Sequence, residues 1–446
     1  MCEPMVVQRD ERHERIVNRW WQLVACIIAM MAIANLQYAW TLFTIPLTQR
    51  LQAPLSSVQL AFTLFILAET WLVPFEGYLV DRLGARRIVT VGGCLVGLSW
   101  IGCGLAASLR ALWVAYAIGG IGAGAIYGAC VGTALKWFPD RRGLAAGLTA
   151  GAYGFGTALT VIPIQWTIAG RGYQSAFLIW GFLQGLVVMA AAWFLRAPPA
   201  GWQPAGWERD AAMIQRNMYQ SAVSYTPWQM VQTGPFWLMY LLMTLVAFGG
   251  LMVTAQLKPI AATYGLDQTV VLFGVTALGL ALILDRVLNG LTRPFWGWVS
   301  DHIGRYHTMT LAFTLEALAI VVLLQLVHHP LWFILLTGVT FFAWGEIFSL
   351  FPAAIGDVFG PDYATTNYGI QYTAKGIASI AAGWGAAKIL EMTNSWLPVF
   401  WIAVACDLLA AGLACFGLRM LVARRIARLK GEAPRLAGPS GVSAAP

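Results

Sequence analysis

Apolar runs of about eighteen or more residues, divided by short polar breaks, recur twelve times along the chain. They fall at about 20–46, 56–80, 87–108, 111–135, 143–169 and 173–195, then at about 235–262, 269–299, 306–328, 331–356, 366–391 and 395–420. A helix needs about 20 apolar residues to cross the hydrocarbon of a bilayer, so each run predicts a spanning helix. The longer ones allow tilt or extension beyond the membrane. The 39-residue polar stretch 196–234, with Pro198, Pro199 and Pro204, separates the first six runs from the second six. The pattern predicts an all-α membrane protein of twelve transmembrane helices in two six-helix bundles. Its parts are a tail at 1–19, a bundle at 20–195, a linker at 196–234, a bundle at 235–420 and a tail at 421–446.

A repeat supports the division. Gly77-Tyr78-Leu79-Val80-Asp81-Arg82-Leu83-Gly84 follows the second run, and Gly297-Trp298-Val299-Ser300-Asp301-His302-Ile303-Gly304-Arg305 follows the eighth. Glycine permits close helix approach, and Asp and Arg can pair or cap helix ends across a gating seam. Gly77, Asp81, Arg82, Gly297, Asp301 and Arg305 are therefore candidate gate residues. Two copies at equivalent positions point to the major facilitator fold, whose halves are parallel repeats.

Charge then sets orientation. Arg9, Arg12, Arg15 and Arg19, Arg82, Arg86 and Arg87, Lys136, Arg141 and Arg142, Arg305, and the tail cluster from Arg419 to Lys430 all fall on one side if the N-terminus is cytoplasmic. The other side holds little beyond Arg50, Arg110, Arg171 and Lys258. The positive-inside rule then predicts both termini in the cytoplasm of a multi-pass membrane protein. This bias accounts for the net charge of +8 without a nucleic-acid partner. Hydrophobic residues make up 59% of the chain and charged ones 11%, against about 25% charged in soluble domains. Six of the seven cysteines lie inside apolar runs with no ligand or disulfide spacing, and the five histidines form no catalytic constellation. No metal, cofactor or enzymatic activity is expected; the partners expected are the bilayer and a small organic anion, with a monomer sufficient.

The candidate chemistry lies in the charges the runs retain. Arg293 sits near the end of 267–299, and Lys375 about a third of the way into 367–390. An unpaired Arg or Lys at mid-membrane costs about 2.5–3.5 kcal/mol on insertion scales, so each asks for a use. At 1.5 Å per residue, Arg293 lies about 9–12 Å from the inner end and Lys375 at a similar depth, which predicts one shared cavity. Pro294 is expected to bend the helix there. The guanidinium offers a bidentate fork and the ammonium a mobile point charge, a pair suited to a small carboxylate. Asp285, Arg286, Glu69 and Glu346 are candidates for countercharge or proton coupling, with Glu346 a candidate neutraliser of Arg286 or Lys375. Gln37, Tyr38, Gln59, Tyr127, Tyr153, Trp344, Phe348 and Tyr372 predict an aromatic and amide lining that excludes water and supplies hydrogen bonds.

In these residues the chain resembles the bacterial oxalate:formate antiporters of the major facilitator superfamily. The resemblance runs over 18–420 and is densest at Gln37-Tyr38-Ala39-Trp40-Thr41-Leu42, at 58–64, at 136–145, at Arg293-Pro294-Phe295-Trp296-Gly297 and from Tyr368 to Lys375. It implies that Arg293 and Lys375 hold a dianion and that Gln37, Tyr38, Gln59, Tyr127, Tyr153 and Trp344 line its cage. Phe348 stands where the family has Tyr, and Tyr372 where it has Trp; both depart from the pattern and bear on which carboxylate fits. The expected activity is secondary transport of small carboxylates by alternating access, as oxalate:formate-type exchange. The alternative is proton-coupled symport of a monocarboxylate or small dicarboxylate. With the cavity empty, repulsion between two unpaired cations is expected to hold the halves apart.

Overall fold

The computed structural model describes residues 18–138, 141–199, 204, 224–360 and 363–422. The first half of the chain forms α1 (Arg19–Tyr38), α2 (Thr41–Leu51), α3 (Leu55–Trp71), α4 (Val73–Leu83), α5 (Ala85–Leu105), α6 (Leu109–Trp137), α7 (Arg142–Phe155) and α8 (Val161–Phe194), the last divided into two helical segments by a kink at Gly172 (φ 81°, ψ 160°). The second forms a short α9 (Pro227–Val231), α10 (Gly234–Thr263), α11 (Ala277–Ile303), α12 (Arg305–Leu326), α13 (Pro330–Trp344), α14 (Ile347–Phe359), α15 (Ala364–Ser379), α16 (Ala386–Thr393) and α17 (Leu397–Gly412). Among the described residues the fold is all-α apart from one small hairpin. Among the described residues, eight helical stretches are long and apolar enough to cross a bilayer.

The distribution of polarity is inverted relative to a soluble protein. Leu98, Leu105, Val114, Phe182 and Trp193 are exposed, while Glu69, Asp285, Arg286, Arg293, Glu316, Glu346, Lys375 and Asp407 are buried. Apolar side chains facing outward and charges facing inward suit a lipid solvent.

Several predicted spans are broken helices. The first is divided at Ala39 and Trp40 into α1 and α2, the second at Leu72 into α3 and α4, and the tenth at Gly345 and Glu346 into α13 and α14. Helix α15 passes through a π turn at Ile380–Gly385 into α16. Irregular backbone at membrane depth survives where protein covers it, and three of these breaks adjoin the candidate site residues. One expectation is corrected: the eighth span does not begin near 267. Val270–Leu272 and Val275–Thr276 pair as an antiparallel hairpin, turning through Phe273 and Gly274, both at positive φ. The β-branched Val270-Val271 run and the glycine explain the strand, and an apolar run alone does not distinguish it from helix. Helix α11 then runs through Pro294 without interruption.

Helices α5 and α8 pack through small residues, with Gly93 and Gly97 against Gly181 and Gly185. Helix α6 lies on α3, α11 on α13, and α12 on α13 and α17. The first half meets the second where α3 and α4 touch α15, α7 touches α11, and α2 touches α10. The repeated motifs end alike: Gly84 (φ 83°, ψ 146°) closes α4 and Gly304 (φ 89°, ψ 152°) closes α11, a conformation that disfavours side chains bearing a Cβ.

Gly120 of α6 abuts the Phe65 carbonyl of α3, whereas a side chain at Gly128 would meet nothing within 4 Å. We expect Gly120→Val to lose about 1–3 kcal/mol through forced separation of the two helices. Gly128→Val should cost much less, as read by thermal unfolding of both purified variants in detergent.

Candidate functional site

Helix α15 presents Tyr368, Tyr372 and Lys375 at helical spacing, so the three share one face. Helix α11 presents Arg286, Asn289 and Arg293 in the same way. Gln37 and Tyr38 come from the end of α1, Glu69 from α3, Tyr127 from α6 and Tyr153 from α7. Trp344 and Phe348 flank the break between α13 and α14. Every one of the ten residues predicted to bind substrate is at most 9% exposed. With ends corrected, Arg293 lies ten residues from the last residue of α11 and Lys375 eleven from the first of α15. Both are thus about 15–17 Å deep, farther in than expected but still matched.

Lys375 is an ion-pair partner. Its Nζ donates to Glu69 Oε2 at 2.8 Å, to Gln37 Oε1 at 2.9 Å and to the Tyr372 hydroxyl at 3.1 Å. An ammonium carries three protons, so its donors are fully used. The other Glu69 oxygen lies 2.8 Å from the Tyr153 hydroxyl, which also stands 3.0 Å from Gln37 Oε1. Glu69 and Lys375 are about 1% and 0% exposed, and the bridge joins α3 to α15 across the seam between the halves. The expected unpaired lysine is therefore neutralised by the chain itself, and by Glu69 rather than Glu346.

Arg293 donates to the Ala150 carbonyl of α7 and lies 4.6 Å from the centre of the Phe348 ring. Lys375 faces the same ring at 5.8 Å. Rings continue around the site: Phe348 contacts Trp344 and Tyr372, Tyr372 stacks on Tyr127, and Tyr153 meets both Tyr127 and Tyr38. Among the described residues, the buried donors in or beside this cage without a hydrogen-bond partner include Gln37 Nε2, Arg286 Nε, Arg293 Nε, Trp344 Nε1 and the Tyr368 hydroxyl, and the acceptors without one include Asn289 Oδ1 and both Glu346 oxygens. A nest of unmatched donors beside two cations suits an anion with several acceptor lone pairs.

The remaining predicted residues divide. Gln59 is spent on the seam: its carbonyl accepts from Trp40 Nε1, and its amide nitrogen donates to the Ala255 carbonyl and to Gln256 of α10. Arg286 is held between the Tyr38 and Phe341 rings, at 4.2 and 4.0 Å, next to Asp285. Glu346 is buried, and neither of its oxygens finds a hydrogen-bond partner among the described residues. It lies within electrostatic reach of Glu316, which with Asp407 packs over Gly249. Arg305 reaches Asp301 at 2.8 Å and Asp357 of α14 at 3.2 Å, tying the second repeated motif to α14. The side-chain surroundings of Gly77 and Asp81 in the first motif lie outside the described residues, and the site does not include Arg82 or Gly297.

Seams close the site from both ends. On one side Glu391 accepts from the backbone and the hydroxyl of Ser56, and the Lys258 backbone N–H donates to Thr41. On the other, Trp71 Nε1 donates to the Thr373 carbonyl. Asn289, four residues before Arg293, donates to the Tyr38 hydroxyl at 3.3 Å. Asn289 and Gln256 belong to the site's framework and were not singled out from sequence. Their signal was present in the i−4 spacing to Arg293 and in an amide deep within an apolar span.

The chain matches the Major Facilitator Superfamily over residues 25–290 and 275–440. It is 34% identical over 400 residues to the oxalate:formate antiporter of Oxalobacter formigenes, covering 90% of this chain and 91% of that protein. It is 24% identical over 397 residues to apicoplast pyruvate carrier 1 of Toxoplasma gondii, covering 75% and 71%. A shorter match of 156 residues, 30% identical, links it to mouse monocarboxylate transporter 14, covering 35% and 29%. The chain belongs to the major facilitator superfamily and, within it, to the family of the oxalate:formate antiporters. It is a multi-pass membrane transporter and not an enzyme.

Lys375→Met would strand Glu69 in the interior and is expected to destabilise the protein by about 3–5 kcal/mol. Adding Glu69→Gln should recover most of that loss. Unfolding of the two variants under identical detergent conditions measures the difference.

Proposed function

We propose that this protein exchanges small carboxylates across the bacterial inner membrane by alternating access, with oxalate and formate as its substrate pair. The observation that carries this reading is the convergence of Arg293 and Lys375 on one Phe348 ring, inside a closed aromatic cage with unmatched donors. A carboxylate between the two cations takes hydrogen bonds from the guanidinium and the ammonium, and the rings keep water out. The name of the relative from Oxalobacter formigenes supports the choice of substrates.

Twelve spanning helices in two six-helix bundles, 20–195 and 235–420, would rock about this central point, with the linker 196–234 and both termini cytoplasmic. One chain suffices, since every residue of the cage comes from the same polypeptide. The repeated motifs, Gly77, Asp81 and Arg82 with Gly297, Asp301 and Arg305, serve as latches on the inner face. Tyr38, Tyr127 and Tyr153 line the cage on the first bundle; Trp344, Phe348 and Tyr372 line it on the second. Gln37 presents its amide to substrate, and Gln59 acts from the seam by holding Trp40 and α10 in register. Asp285 tempers the charge of Arg286 behind the cage wall.

The two departures from the family pattern acquire a purpose here. The Tyr372 hydroxyl accepts from Lys375, which an indole N–H in its place would be unable to do. Phe348 offers both cations a face and adds no donor of its own.

Counterflow of labelled oxalate against internal formate in proteoliposomes tests the proposal. Arg293→Ala removes a charged partner whose loss costs about 2–5 kcal/mol, so exchange at low substrate should fall by about 30-fold or more. Lys375→Ala should lower it similarly. Unchanged counterflow in both variants would overturn the assignment.

A further inference from the structure

Exchange through Arg293 and Lys375 leaves the role of Glu69 unexplained. Its carboxylate occupies the position on Lys375 that a substrate carboxylate would claim, in the same chemical form and at ordinary ion-pair distance. Because Lys375 already donates to Glu69, Gln37 and Tyr372, no proton of the ammonium is left over. An incoming carboxylate must replace one of the three, and Glu69 is the acceptor whose charge it duplicates.

The displaced Glu69 then has two fates. If it remains a carboxylate, it stays buried with only the Tyr153 hydroxyl to meet a full charge, a state that buried ion pairs strongly resist. If it takes up a proton, it becomes a neutral acid that can itself donate. Gln37 Oε1 lies close by, next to the same Tyr153 hydroxyl.

Among the described residues, the groups hydrogen-bonded to Glu69 are the Lys375 ammonium and the Tyr153 hydroxyl. Helix α15 offers Lys375 and Tyr372, and α7 offers Tyr153. Helix α6 contributes Tyr116 and Tyr127, and α1 contributes Tyr38; as phenols these ordinarily ionise near pH 10 and supply no positive charge. Glu76 of α4 adds a second acid. Arg293 faces the same Phe348 ring as Lys375 and, in the proposed site, is the substrate's other partner.

We propose that Glu69 binds a proton when a small carboxylate binds to Lys375, so that each anion is loaded together with about one proton. This inference rests on reading Arg293 and Lys375 as the anion site. The balance is simple. Lys375 stays an ammonium and changes partners, a proton from solution converts the Glu69 carboxylate to the acid, and release of the anion reverses both steps. When the anion leaves, Glu69 returns to Lys375 and the emptied carrier retains a neutral pair across its seam. Net proton-linked movement then becomes available alongside exchange.

The test needs no variant at first. Purified protein in weakly buffered solution, at pH values where the anions themselves are fully ionised, is titrated with potassium oxalate and with potassium formate while a pH dye is followed. Uptake of about one proton per bound anion is expected. The half-saturating concentration should rise with pH by up to about tenfold per unit, because each bound anion brings one proton with it. Glu69→Gln should abolish both the proton uptake and the pH slope, and Glu69→Asp should keep them. Binding without proton uptake and with a flat pH profile would overturn the inference while leaving the anion site intact. Absence of binding by either salt would overturn the anion site, and the inference with it.

Discussion

The ion pair between Glu69 of α3 and Lys375 of α15 is the constraint from which the rest of the site follows. A charge inside a lipid-facing protein is costly unless another charge and hydrogen bonds answer it. Here the answer comes from the opposite half of the chain, 306 positions away. The cation that should hold a substrate therefore also fastens α3 to α15. If Lys375 takes the substrate as proposed, an anion has to compete for it with a carboxylate that is already part of the protein. On that reading, binding of the transported anion and loosening of the seam share one lysine.

The surrounding residues make that competition sharp. The rings of Tyr38, Tyr127, Tyr153, Phe348 and Tyr372 keep the local dielectric low, so each gained or lost hydrogen bond to a charge matters more than it would in water. Arg293, held by the Ala150 carbonyl and facing Phe348, is fixed in place by α7 and α14 and keeps an unmatched Nε. Lys375 is satisfied while Arg293 is not, and this asymmetry gives the two cations different tasks. In the proposed cycle Arg293 attracts and orients an anion, and Lys375 reports its arrival by letting go of Glu69. The seams beyond the site, Ser56 with Glu391 on one side and Trp71 with the Thr373 carbonyl on the other, are polar contacts of modest strength. Bonds of that kind can be broken and remade during a transport cycle.

Much of this was legible in the chain. The all-α, multi-pass character followed from apolar length, and the matched motifs ending at Gly84 and Gly304 are a repeat whose two helix ends share one backbone conformation. Arg293 and Lys375 stood out because cations at membrane depth are costly. What the one-dimensional pattern did not reveal was pairing. Glu69 and Glu346 look equivalent as single acids in greasy helices, and only the packing of α3 on α15 brings one to Lys375 and leaves the other near Glu316. Gln59 looked like a substrate ligand, but its amide is consumed in crossing to α10. The broken helices were hidden for a similar reason: a run such as 331–356 is apolar on both sides of Gly345, so hydropathy sees no interruption. The hairpin at 270–276 was missed because Val and Leu satisfy the composition of helix and strand alike.

The most direct measurement is an experimental structure of the protein with oxalate bound. The account predicts the anion beside the Phe348 ring, within hydrogen-bonding distance of both the Arg293 guanidinium and the Lys375 ammonium, with Glu69 moved off Lys375. An oxalate located away from Arg293, with the Glu69–Lys375 bridge unchanged, would contradict it.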